Sequence, residues 1–208
     1  ANNHSKKQQE INQLLVKYGK QKRSVVRLKG GDPFIYGRGG EELQALVAAG
    51  IDFEVVPGIT AASGCASYAG IPLTHRDYSQ TVMFITAQCR NSEENLDWTS
   101  IARQNQTVVV YMGLLKNDVL SQRLIAYGRC PDTPVAVVEN GTTSLQRVIT
   151  GTLGCLPEMV KEHEIISPAL MIIGEVVALA GQLDWYLNNQ LIQHVGKAQP
   201  LYELREAV

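Results

Sequence analysis

Residues 25–40, Val-Val-Arg-Leu-Lys-Gly-Gly-Asp-Pro-Phe-Ile-Tyr-Gly-Arg-Gly-Gly, decide the fold class of this chain. The short β-type run at 25–28 stops at Gly30 and Gly31, and a helix-like stretch at 40–49 follows the second glycine pair. A strand, a glycine turn and a helix in this order are typical of α/β proteins that bring bare backbone close to a ligand. Because the same residue types dominate ordinary turns, the stretch by itself indicates a plain turn as readily as a ligand site.

A second passage repeats this arrangement and favours the ligand interpretation. The strand-like run Phe53-Glu54-Val55-Val56 ends at Pro57-Gly58, and a helix-like series of small residues follows at 59–67. Small side chains let the start of a helix approach a neighbour or a ligand closely, and Thr60 and Ser63 add hydroxyl groups. Tight packing of a buried helix against a sheet uses small residues equally well, so both interpretations remain open here.

Alternating strand and helix patterns along the chain predict an α/β fold. The β-α-β-α order of the first half predicts a largely parallel sheet covered by helices, and the apolar run at 107–112 is typical of a buried central strand. Residues 89–98 are polar and predict a loop. The predicted strands are 25–28, 53–56, 81–86, 107–112, 134–138, 146–150 and 168–174, and the predicted helices are 11–18, 40–49, 59–68, 117–125 and 155–162.

Composition is compatible with a cytosolic enzyme and excludes few other classes. The 208 residues are 45% hydrophobic, enough for a substantial core, and the net charge of −1 gives no electrostatic argument for a nucleic-acid partner. No apolar run reaches the length of a membrane span, and no signal peptide is recognisable. The four cysteines (Cys65, Cys89, Cys130 and Cys155) show no metal-ligand spacing, so we expect no metal and free thiols in a reducing cytoplasm.

Four strings of the sequence, in this order, resemble uroporphyrinogen-III C-methyltransferases, a family that also forms the C-terminal module of sirohaem synthases. They are VVRLKGGDPFIYGRGGEE at 25–42, VVPGITAASGCASYAGIPLTHRDYSQ at 55–80, VVYMGL at 109–114 and VVENGT at 137–142. The resemblance runs from about residue 8 to Trp185. It implies two α/β domains of the tetrapyrrole methylase type with S-adenosylmethionine bound between them, and a homodimer.

The resemblance also implies a set of donor-binding residues. Each has a plain structural alternative: Asp32 as a turn residue, Met112 as core filler, Gly141 as an ordinary turn. Methyl transfer from a sulfonium mainly requires that donor and acceptor be positioned, which backbone at glycine turns and apolar residues at strand ends can do. The residues carried over for S-adenosylmethionine are Gly30, Gly31, Asp32, Ile35, Thr60, Ala61, Met112 and Gly141.

The acceptor implied by the resemblance is uroporphyrinogen III, whose eight carboxylates call for cations beside an apolar trough. Candidates for gripping these carboxylates lie in or beside the matched strings, although such cations are equally typical of ordinary surface charge. They are Lys29, Arg38, His75 and Arg76.

The implied reaction is methylation of C2 and C7 of uroporphyrinogen III to give precorrin-2 for sirohaem or cobalamin. The family's opening strand, its GxGPGDP-type loop and the acid and base that follow have no counterpart here, so we expect a partial first domain and assign no catalytic residue. Methylation of a later corrin intermediate, and a non-catalytic ligand-binding or assembly module, remain alternatives. The expected organisation is a partial domain at 1–78, a second domain at 79–185 and a tail at 186–208.

Overall fold

The computed structural model describes residues 7–87 and 96–186. The helices are α1 (Gln8–Lys20), α2 (Gly39–Ala48), α3 (Ala61–Tyr68), α4 (Trp98–Ile101), α5 (Asn117–Ala126) and α6 (Leu156–Glu162), with short 3-10 helices at Leu114–Lys116 and Glu175–Leu179. The strands are β1 (Thr81–Thr86), β2 (Gln106–Tyr111), β3 (Pro134–Glu139), β4 (Arg147–Thr152) and β5 (Ala169–Ile173). Most of the predicted loop at 89–98 and of the predicted tail at 186–208 lies outside the described residues.

The sheet has the strand order β1-β2-β5-β3-β4 and is mixed, so the prediction of a largely parallel sheet is wrong. β1 and β2 pair in parallel, whereas β5 lies between β2 and β3 and is antiparallel to both. β3 and β4 form an antiparallel hairpin, because their connection at 140–146 is too short for a parallel crossover. Since β2 and β3 both oppose β5, the carboxyl ends of β1, β2 and β3 meet at the same edge of the sheet.

Strand β2 confirms the prediction of a buried interior strand, since all six of its residues are buried. Val108 and Val110 pack into one apolar cluster, together with α5 and α6. Val109 and Tyr111 pack into a second cluster on the opposite face, together with α3. Burial on both faces explains why this strand is a continuous apolar run without alternation.

The predicted strands at 25–28 and 53–56 are not present as strands. Neither segment has regular secondary structure, and neither joins a ladder with any described residue. Their apolar side chains are consequently exposed, with 88% of Val26, 83% of Leu28 and 78% of Val56 accessible to solvent. A β-type composition makes a segment suitable for a sheet, but a strand also requires a neighbour to accept its hydrogen bonds.

Local chemistry accounts for the two ends of α2. Glu41 and Glu42 lie in the first turn of α2, where carboxylates interact favourably with the helix dipole. The helix ends as predicted before Gly50, which has a φ of +66° and donates its N–H to the carbonyl of Val47.

In the part of the chain that the structure describes, no helix is both long and apolar enough to cross a lipid bilayer.

Candidate functional site

The two glycine-containing loops of the first half meet at Asp32. Its carboxylate accepts the N–H of Phe34 at 2.8 Å and the N–H of Gly58 at 3.2 Å. The hydrogen bonds from Phe34 and then Gly58 lower the pKa of Asp32, so the group is ionised near neutral pH. Asp32 therefore fixes the turn at 30–33 against the turn at 57–59 and presents a negative charge there.

Gly58 is required by the close approach of these two turns. A Cβ at Gly58 would lie 2.6 Å from the carbonyl oxygen of Gly31, a distance at which one of the two backbones would have to move. A Cβ at Gly30, in contrast, would meet no atom within 4 Å. The backbone of the first turn thus packs on the second turn on one side and faces open space on the other.

Two tyrosines that the sequence analysis did not single out connect these turns to the sheet. The ring centroids of Tyr36 and Tyr111 are 4.7 Å apart, and Tyr111 also lies 6.0 Å from Phe84. The hydroxyl of Tyr36 donates to the carbonyl of Phe84 in β1 at 2.8 Å. Both tyrosines lie inside the strings that resemble the family, and this position was the only indication in the sequence that they belong to the site. The residue type by itself gave no such indication.

Tyr111 also contacts the start of α3 through its hydroxyl. The hydroxyl accepts the N–H of Ala62 at 2.9 Å and shares a hydrogen bond with the hydroxyl of Thr60, with 2.5 Å between the oxygens. Because Tyr111 is the last residue of β2, this contact places Thr60 and Ala61 at the carboxyl edge of the sheet.

Met112 and Gly141 follow the carboxyl ends of β2 and β3 at this same edge. Met112 has a φ of +52° and is 47% exposed, which makes it accessible to a ligand. Gly141 lies against α3, because a Cβ there would come within 2.4 Å of the Sγ of Cys65. Burial raises the pKa of the Cys65 thiol, so this sulfur packs as a neutral group.

The structure thus brings the predicted donor-binding residues to one edge of the sheet. Tyr36 links the first glycine turn to β1, Tyr111 links Thr60 to β2, and Gly141 links the end of β3 to α3. Ile35 belongs to the same turn as Asp32 and is 36% exposed.

The predicted substrate-binding cations Lys29 and Arg38 are both held in ion pairs within the chain. The Nζ of Lys29 lies 3.1 Å from Glu42, whose carboxylate also accepts from Arg27 and Gln8. Burial would raise the pKa of Glu42, but the hydrogen bonds from Gln8 and Lys29 and the two positive charges outweigh it and lower the pKa. Arg38 makes two hydrogen bonds to Glu41, at 2.8 and 2.6 Å, which raise the pKa of its guanidinium.

His75 and Arg76 lie in the tight turn between α3 and β1. The backbones of His75 and Ser79 exchange two hydrogen bonds, which close this turn. The Nδ1 of His75 accepts the N–H of Asp77 at 3.1 Å, and its ring lies 4.9 Å from that of Tyr78. Arg76 is exposed and makes no ion pair with another described residue, so it is better placed than Lys29 or Arg38 to meet an anionic ligand.

Comparison with known proteins shows the family to which the chain belongs. The family model of the tetrapyrrole (corrin/porphyrin) methylases matches residues 1–157. A sirohaem synthase of Pseudomonas fluorescens is 56% identical over 187 residues, which cover 90% of this chain and 40% of that protein. A second sirohaem synthase, from Pseudoalteromonas translucida, is 50% identical over 201 residues. The chain therefore spans about two fifths of the length of these curated relatives.

The structural comparison agrees. A uroporphyrin-III C-methyltransferase from Thermus thermophilus, solved in complex with S-adenosyl homocysteine, superposes with a TM-score of 0.73 and 37% identity, covering 84% of this chain and 76% of that one. A cobalt precorrin-4 methyltransferase gives a TM-score of 0.75 at 26% identity and covers 84% of this chain and 74% of that one.

Proposed function

This chain belongs to the tetrapyrrole methylase family, and we propose that it transfers methyl groups from S-adenosylmethionine to C2 and C7 of uroporphyrinogen III, giving precorrin-2 for sirohaem or cobalamin synthesis. The observation that carries the proposal is the edge where the glycine turns, the start of α3 and the carboxyl ends of β1, β2 and β3 meet. A solved relative with 37% identity over most of this chain holds S-adenosyl homocysteine.

The residues at this edge fit S-adenosylmethionine. The amino-acid end of the donor requires backbone groups and a negative charge, which the open side of Gly30 and the ionised Asp32 provide. Each oxygen of Asp32 accepts one backbone N–H and can accept a further donor. Ile35 and Met112 are partly exposed and offer an apolar surface to the adenine. We assign the donor site to these residues together with Gly31, Thr60, Ala61 and Gly141.

In this function the chain mainly binds and orients. S-adenosylmethionine supplies a methyl group on a sulfonium, from which S-adenosylhomocysteine departs readily as a neutral thioether. Asp32 and the turn at 30–33 would hold one end of the donor, and residues at the ends of β2 and β3 would hold the other. Holding two reactants in line is worth several orders of magnitude in rate, provided that the binding residues do not shift.

For the tetrapyrrole we propose Arg76 and His75 as the first carboxylate contacts. Arg76 is exposed, and its planar guanidinium suits bidentate binding of a carboxylate. A role for Lys29 or Arg38 requires that their ion pairs with Glu42 or Glu41 open on binding. Arg76→Ala should therefore raise the KM for the tetrapyrrole more than Arg38→Ala does, and equal effects of the two would contradict this order.

We further propose a homodimer in the cytoplasm, with a domain boundary near residues 77–80. The exposed apolar side chains of the segment 25–59 support association, because such a surface is unfavourable in water. The free thiols of Cys65, Cys130 and Cys155 suit a reducing compartment. All the described strands follow the proposed boundary. Light scattering of the full-length gene product at several concentrations tests the dimer, and a monomer throughout would contradict it.

A methyl-transfer assay on the full-length gene product tests the proposed reaction. With methyl-labelled S-adenosylmethionine, we expect uroporphyrinogen III to accept two labelled methyl groups. Label appearing only in a later corrin intermediate would change the proposed acceptor, and no transfer to any tetrapyrrole would contradict the enzymatic function. The matched control is the same protein carrying Gly31→Val, which retains the acceptor candidates but disturbs the donor turn.

A further inference from the structure

The start of α3 is capped by a residue from a distant part of the chain. Thr60 occupies the N-cap position, but its side chain makes no capping hydrogen bond. The N–H of Ala62, in the first turn, is accepted instead by the hydroxyl of Tyr111, which lies 49 residues further along the chain. The first N–H groups of a helix have no partner within the helix, so this hydroxyl supplies an acceptor that the local sequence does not.

The position of Tyr111 is set by the sheet. The residue is 8% exposed and pairs with Thr86 of β1 across the parallel ladder. Its ring packs against those of Tyr36 and Phe84. Because the sheet and the neighbouring rings hold Tyr111 in place, its hydroxyl fixes the position at which α3 begins.

Thr60 is held by the same hydroxyl. The two hydroxyl oxygens of Thr60 and Tyr111 are 2.5 Å apart, and the Tyr111 oxygen also accepts from Ala62. A single oxygen thus fixes both residues that flank Ala61.

Tyr111 acts on the first glycine turn as well, through Tyr36. Tyr36 has a φ of +54°, belongs to the loop that follows Asp32, and crosses Tyr111 to donate to the carbonyl of Phe84. The ring of Tyr111 therefore supports the loop that follows Asp32, and its hydroxyl supports the segment at Thr60 and Ala62.

From this geometry we propose that Tyr111 is a positioning residue of the donor site, which holds the Thr60–Ala61 backbone and the glycine turn at the carboxyl edge of the sheet. This inference rests on the proposed function, because the backbone that it positions is the backbone assigned to S-adenosylmethionine. Tyr111 acts through these segments and needs no contact with the reacting atoms.

Tyr111→Phe tests the inference, since it removes the hydroxyl and keeps the ring. We expect the affinity for S-adenosylhomocysteine to fall roughly tenfold and the KM for S-adenosylmethionine to rise similarly, while kcat changes little. The readouts are calorimetric titration and steady-state kinetics on the full-length gene product. The matched control is Tyr127→Phe, which removes a hydroxyl from a tyrosine 47% exposed after α5 and should leave both constants unchanged.

Thr60 gives a second, independent arm. Thr60→Val removes the hydroxyl that bonds to Tyr111 and should weaken binding in the same direction as Tyr111→Phe, whereas Thr60→Ser keeps a hydroxyl and should weaken binding less than Thr60→Val does. Since the two hydroxyls bond to each other, the loss of affinity in the double variant should be clearly less than the two single losses together. Additive losses would overturn the inference.

The outcomes separate the inference from the proposed function. If the unmodified protein fails to bind S-adenosylhomocysteine, both are overturned. If it binds normally and Tyr111→Phe binds equally well, the inference alone is overturned. A melting temperature that falls in Tyr111→Phe while the affinity is unchanged would show that Tyr111 only stabilises the fold, and would also overturn it.

Discussion

Asp32 should make the two loops of the proposed donor site, at 30–33 and 57–59, sensitive to acid. Its pKa is lowered in the folded chain by the N–H groups of Phe34 and Gly58, so its stabilising effect is fully present above the unfolded-state pKa of about 4. The effect is lost as the pH falls through the lower, folded-state pKa. Asp32→Asn should therefore weaken S-adenosylhomocysteine binding at pH 7, and the difference from the unmodified protein should shrink below about pH 4. A difference that does not shrink at any acidic pH at which the protein stays folded would contradict this role of the carboxylate.

Gly141 has no room for a side chain. In Gly141→Ala the new Cβ would lie 2.4 Å from the Sγ of Cys65, and this overpacking should cost about 1–3 kcal/mol of stability. Cys65→Ala removes that sulfur, so the double variant should recover most of the loss in the free energy of unfolding. Chemical denaturation of the four proteins measures this. An equal loss in Gly141→Ala with and without Cys65 would show that the close contact is not the cause.

At the scale of single residues, the sequence predicted which residues form the turns better than it predicted which residues contact one another. Gly31, Asp32 and Gly58 are recognisable from the motifs, because glycine and aspartate have few other reasons to occur in such a pattern. Tyr111 was not predicted, since its role depends on a contact between residues far apart in the chain. Lys29 and Arg38 had the right charge, but the sequence does not show that Glu42 and Glu41 are their partners.

Among the elements, α1 and α2 are joined to the segment at 27–29 by one buried carboxylate. Glu42 is 3% exposed and accepts from Gln8, Arg27 and Lys29. Glu42→Gln should cost about 1–3 kcal/mol, because two cations lose their partner at a site largely shielded from water.

Its neighbour Glu41 provides the matched control. Glu41 pairs with Arg38 at the surface, where both side chains are about half exposed, so Glu41→Gln should cost less than about 1 kcal/mol. Urea unfolding of both variants measures the two losses in the free energy of unfolding. A larger loss in Glu41→Gln than in Glu42→Gln would contradict the role of Glu42 in linking α1, α2 and the segment at 27–29.

The strands that follow residue 80 were predictable from the sequence, whereas the two strands predicted before it, at 25–28 and 53–56, are not formed by the described residues. The structure has β1 to β5 within two residues of the predicted boundaries. β1, β2, β3 and β5 are mainly apolar runs bounded by polar or turn residues, and β4 is a mixed strand rich in β-branched residues. The segments at 25–28 and 53–56 have a similar composition but remain unpaired among the described residues. Pairing is a property of two segments, so the composition of one segment cannot establish it.

For the molecule as a whole, the order of elements predicted the α/β class but gave the sheet too many parallel pairs. The antiparallel β5 enters between β2 and β3, which a count of alternating helices and strands does not reveal. This error does not affect the edge proposed as the donor site, because β1, β2 and β3 still end on the same side. What locates the site is therefore the shared direction of these three strands and the glycine turns that face their ends.

The central claim is that the donor binds where the glycine turns meet this edge. Calorimetric titration of S-adenosylhomocysteine into the full-length gene product, beside its Gly31→Val and Asp32→Ala variants, tests it most directly. The unmodified protein should show one saturable site. Gly31→Val should bind much more weakly, because Gly31 has a φ of +136°, which valine adopts only with strain. Asp32→Ala should also bind much more weakly, because it removes the carboxylate that accepts the N–H groups of Phe34 and Gly58. Absence of binding by the folded unmodified protein, or unchanged affinity in both variants, would contradict the account.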